Sequence, residues 1–74
     1  MFTAGNQVKI DVAILEDQSH KSNHHLVREV YKMKGVGEVL HLDTEKSTKE
    51  VFKYWVKFHF FNILLDEKYL VRQL

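Results

Sequence analysis

Between Phe52 and Phe60 every second side chain is aromatic or β-branched, namely Phe52, Tyr54, Val56, Phe58 and Phe60, with Lys53, Trp55, Lys57 and His59 between them. Wound as a helix, the apolar positions 51, 52, 54, 55, 56, 58, 60 and 61 would cover nearly the whole circumference, and 74 residues cannot surround such a helix. Extended, the same residues sort onto two faces and belong to types that favour pleated sheet. The reading is therefore a strand over 50–61. The competing signal is Ser47-Thr48-Lys49-Glu50, which fits a capping box opening a helix.

The rest of the chain is read around that strand. Val8, Ile10, Val12 and Ile14 alternate with Lys9, Asp11 and Ala13, the pattern of a strand with one buried face. The polar stretch from Glu16 to Asn23 reads as a loop, with Ser19, Ser22 and Asn23 able to cap a following helix. Leu26, Val27, Val30, Tyr31 and Met33 then recur at helical spacing, which predicts a helix over 23–34 that leaves through Lys34 and Gly35. Gly35-Val36-Gly37 reads as a turn and Val39 to Leu42 as a short strand. The tail, 63–74, reads as a helix, with a turn at Asp66 to Lys68 and a short last strand as the alternative.

A chain of 74 residues has room for one domain, 1–74, with one core. The expected class is α+β, a small plait in the order strand, helix, strand, strand, helix, with an open sheet and the helices on one face. This layout resembles the ferredoxin-like superfold in truncated form, a fold that serves many unrelated functions. If the helices cover one sheet face, Lys9, Asp11 and Ala13 of the first strand and Lys53, Trp55, Lys57 and His59 of the third lie on the other. Lysines suit a solvated face, whereas a tryptophan is usually at least half buried and is enriched at interaction surfaces. The candidate contact residues are therefore Trp55, Lys53, Lys57, His59 and Lys9.

Two partners fit such a face. A protein partner, including a second copy of the same chain, would bury Trp55 and supplement a thin core, making the chain a regulator or inhibitor that works by contact, as a homodimer. The alternative is single-stranded RNA, held by base stacking on the ring with phosphates near the lysines. Trp55-Val56-Lys57-Phe58 resembles the end of the aromatic signature on the third strand of RNA-recognition motifs. Lys53 stands where that signature has a stacking aromatic, its preceding glycine is absent, and the first strand offers no ring.

Other chemistry is weakly encoded. With no cysteine, disulfides and thiolate chemistry are excluded. Five histidines invite a metal, but adjacent His24 and His25 diverge, and His20 and His24 share a face only if the helix starts early. His41 and His59 are possible cross-strand neighbours in a register the sequence does not fix. No serine motif, converging carboxylate pair or phosphate loop is present, so the expectation is no enzyme, no cofactor and no metal. Lys34-Gly35-Val36-Gly37 is broadly similar to the turn near which ACT-type domains hold effectors, without a ligand-contacting pattern. Net charge is +1, too small to argue for nucleic acid on its own. No signal peptide or long apolar run is read, and the expected location is the cytoplasm, away from membrane.

Overall fold

The computed structural model describes residues 1–16, 24–59 and 61–73. Its elements are β1 (Gln7–Ile10), α1 (Ala13–Glu16), α2 (His24–Lys32), β2 (Val36–Leu42), β3 (Lys53–Lys57), β4 (Asn62–Asp66), a one-turn 3-10 helix (Glu67–Tyr69) and β5 (Leu70–Arg72). The five strands form one antiparallel open sheet in the order β4-β3-β2-β1-β5, which makes this a small α+β fold with two helices.

That order differs from a ferredoxin-like plait. The strands flanking the helices, β1 and β2, are antiparallel neighbours, so no parallel crossover is made. The chain does not end in a helix either. Asn62, Leu64 and Asp66 alternate with Ile63 and Leu65, so the period there is two and Ile63 and Leu65 face the core. The tail is thus a strand, the turn at 67–69 and a last short strand.

The short link between β4 and β5 forces the sheet to curl. In a flat sheet these two edges would stand four strand spacings, roughly 19 Å, apart, yet a single 3-10 turn, rising roughly 6 Å, joins them. The turn spans the closed end of the curl. At its start the Glu67 N–H donates to the Phe52 carbonyl (2.9 Å), and at its end the Tyr69 carbonyl accepts from Asp11 N–H (2.7 Å). Inside lie Val8, Ile10, Val39, Tyr54, Val56, Ile63, Leu65 and Leu70, joined by Ile14 from α1, Val27 from α2 and Tyr69 from the turn. Tyr54 is the pivot of this core. Its hydroxyl donates to Glu67 Oε2 (2.8 Å) and accepts from Phe2 N–H (3.1 Å), and burial pushes its pKa above the ordinary phenol value.

Four boundaries depart from the sequence reading for local reasons. The first strand stops at Ile10 because Asp11 turns the chain, its Oδ1 accepting from Ala13 N–H (2.9 Å) and its carbonyl from Ile14 N–H (3.1 Å). Ile14 then reaches the core from a helix, while Val12 is exposed. Ser47 opens no helix, because its Oγ accepts from Lys53 N–H (2.9 Å) and so extends the β2–β3 hairpin. The third strand is shorter than 50–61, because Phe58 and Phe61 bond each other's backbones in both directions and reverse the chain. Gly35-Val36-Gly37 is no turn but the entry into β2. The loop caps Ser19, Ser22 and Asn23, the His20 position and Phe60 lie outside the described residues.

The exit from α2 carries a testable strain. Gly35 N–H bonds the Val30 carbonyl (2.9 Å) and Lys34 N–H the Tyr31 carbonyl (3.0 Å), the two bonds of a Schellman close. The left-handed position in it is Lys34, with φ 55°, and not a glycine. Lys34→Gly is expected to stabilise the fold, raising the thermal midpoint by roughly 3–8 °C in a melting experiment. A lowered midpoint would contradict this reading of the turn.

Candidate contact face around Trp55

Trp55 occupies the centre of β3 and points away from the core, since its neighbours Tyr54 and Val56 are buried. Across the sheet it faces His41 on β2 and Leu64 on β4. His41 reaches this face because the β2–β3 register shifts between Val39 and His41, with Leu40 as the extra residue. Gly37 and Val39 face the core, and without the bulge His41 would continue their alternation inward.

The indole is half buried and held at one edge. Its Nε1 donates to Asp43 Oδ2 (3.1 Å), while Asp43 Oδ1 accepts from the backbone N–H groups of Lys46 (2.9 Å) and Glu45 (3.0 Å). One carboxylate therefore ties the β2–β3 loop to the ring. These donors, Lys46 N–H foremost, outweigh desolvation and hold the Asp43 carboxyl below its ordinary pKa. A depressed folded value means that the stabilisation is complete above the unfolded value near 4 and is lost as pH falls through the lower folded one. Urea unfolding of the wild type and Asp43→Asn at pH 6 and pH 2 is expected to give midpoints that converge at the lower pH. A gap that stays constant would contradict the link.

The cations here have acidic neighbours. Lys53 Nζ lies 2.7 Å from Asp66 Oδ1, in a pair largely sheltered from solvent. Lys57 stands opposite Glu38 on one side and Asn62 on the other. Trp55, Lys53 and Lys57 are thus brought together, but two sequence candidates are not. His59 belongs to the turn after β3, not to the strand, and His41 pairs with Trp55, four positions from it. Lys9 pairs with Val36 and Val71, and Val36 is five positions along β2 from His41, a run of roughly 17 Å.

The sequence reading missed a second feature. Leu26, Met33 and Val36 are exposed by 47, 73 and 43%, and with Val30, Phe58 and Phe61 they line one groove of about 320 Å³ between α2 and the β3–β4 turn. The signal was the spacing of Leu26, Val30 and Met33, a second apolar stripe beside Val27 and Tyr31. Taken as one helical set, the five residues do not reveal that they divide into two stripes.

Among the described residues no three His, Cys, Asp or Glu side chains cluster to hold a metal ion, and no helix is long and apolar enough to cross a membrane. Comparison with known proteins finds no match among protein-family models, curated proteins or solved structures.

Proposed function

We propose that this chain is a small non-enzymatic binding protein, a regulator or inhibitor, that acts through protein contact on the outer sheet face around Trp55. The observation that carries the reading is the placement of the indole, which stands half buried at mid-strand with its N–H fixed on Asp43. A tryptophan with few rotamers left to lose binds at a lower ordering cost, and such rings are common anchors at the centres of interfaces. Leu64 and His41 extend the apolar and polar surface on either side of it.

The charge pattern favours protein over RNA. Beside the ring Lys53 is paired with Asp66, Lys57 stands opposite Glu38 and the indole N–H is bonded to Asp43, so phosphates approaching the lysines also meet carboxylates. A single-strand site instead joins several aromatic platforms to a cationic groove. Titrating a fluorescent single-stranded RNA at low and physiological salt tests the choice by anisotropy. The expected result is no rise in signal at physiological salt. Binding that weakens steeply with salt and is reduced by Lys53→Ala and Lys57→Ala would establish the RNA reading in its place.

A further inference from the structure

Lys9, which the sheet carries away from Trp55, stands at a second concave place. Together with Tyr31, Lys32 and Lys34 at the exit of α2, it lines a hollow of about 230 Å³ whose apolar part is Ile10 and Val30. Among the described residues none of the three lysines forms an ion pair. The carboxylates nearest to them in sequence are engaged elsewhere. Asp11 accepts from Ala13 N–H through its Oδ1 (2.9 Å), and Glu29 lines the apolar groove toward Phe58. The negative end of the α2 dipole accounts for lysines at 32 and 34, but it does not account for Lys9 on β1, nor for the backbone of Lys34. At φ 55° a glycine would be at ease and a lysine is strained. Strain retained at one position marks a local requirement, and here it keeps a cationic side chain at the rim of the hollow.

We propose that this hollow binds a small phosphate-bearing anion, held by the ammonium groups of Lys9, Lys32 and Lys34. Three cations from two elements, gathered around one concavity without a carboxylate bonded to any of them, make a local positive field that an anion completes. A phosphate has several acceptor oxygens, so it takes charge-assisted bonds from more than one lysine at once. Tyr31 adds a ring and a hydroxyl donor to the wall. A hollow of this size takes a small ligand, whereas an acidic protein segment would need cations spread along a strip. Lys34 sets binding against stability, because glycine there relieves the turn and removes a cation. The site stands on its own residues and does not depend on the contact reading at Trp55.

Pyrophosphate is the probe, titrated into the isotope-labelled full chain and followed by amide chemical shifts, with sodium chloride of matched ionic strength as the reference. The expected result is a saturable shift centred on Lys9 and on residues 31–35. Lys9→Ala and Lys34→Gly should each weaken binding about tenfold, the effect of losing one charge-assisted bond. Lys34→Gly should do so in a protein whose thermal midpoint has risen, which separates lost binding from lost fold. Lys49→Ala, which removes the same charge from an exposed loop position, should bind as the wild type does. Shifts that do not saturate, or that sodium chloride reproduces, overturn the proposal. So does undiminished binding by Lys34→Gly or by folded Lys9→Ala, or an equal loss in Lys49→Ala, which would mean diffuse charge and no site. A response to a short polyglutamate peptide without one to pyrophosphate overturns it in favour of an acidic protein partner. Should Lys9→Ala fail to fold, Lys34→Gly decides.

Discussion

Gly37→Ala is expected to cost the fold about 2–3 kcal/mol, the range of an over-packed core, and to lower the thermal midpoint by roughly 10 °C or more. A Cβ at Gly37 would stand 2.6 Å from Phe58 Cε1 and 2.7 Å from Val56 Cγ1, both in buried side chains. The Phe58 ring lies over the β2 backbone at the one place where β2 has no side chain. Since the obstruction is mostly the ring, Gly37→Ala combined with Phe58→Leu should lose less than the two single changes added together. Thermal melts of the four proteins in that cycle measure it, and strict additivity would contradict the account of the contact.

Trp55→Ala is expected to weaken the protein contact by about 30-fold or more, the effect of losing a central anchor worth about 2 kcal/mol. The fold should survive, because the indole lies outside the core cluster and the β2–β3 and β3–β4 ladders are backbone bonds. Trp55→Phe should fall between the two, keeping a ring but losing the donor to Asp43. Sedimentation equilibrium of the three proteins, with circular dichroism as the control for folding, gives the comparison. Equal association constants for wild type and Trp55→Ala would remove the ring from the interface.

The part of this site that was legible in the sequence is the part set by period alone. Alternation from Lys53 to Lys57 is enough to place Trp55 opposite Tyr54 and Val56, whatever the other strands do. Register was not legible, because it depends on the bulge at Leu40, on Ser47 bonding Lys53 and on the turn at Phe58 to Phe61. Without register, Lys9 and His59 looked like neighbours of Trp55, and the carboxylates of Asp66 and Asp43 were not seen beside Lys53 and the indole. The tail failed for another reason. Leu64, Tyr69, Leu70, Val71 and Leu74 fit a helical stripe loosely, whereas the decisive apolar pair, Ile63 and Leu65, has a spacing of two. Gly37 was read as a turn residue, because an inner-facing glycine leaves no mark in the hydrophobic pattern, only a space for Phe58.

Trp55 is the single tryptophan of the chain, so its fluorescence reports this face and nothing else. Iodide quenching of the purified protein, measured from dilute to concentrated solution at low and high salt, addresses the contact most directly. The account predicts that quenching falls as concentration rises, to a similar extent at both salt levels, as the ring closes against a second copy. Quenching that is the same at every concentration, or that falls only when single-stranded RNA is added and recovers in high salt, would contradict it.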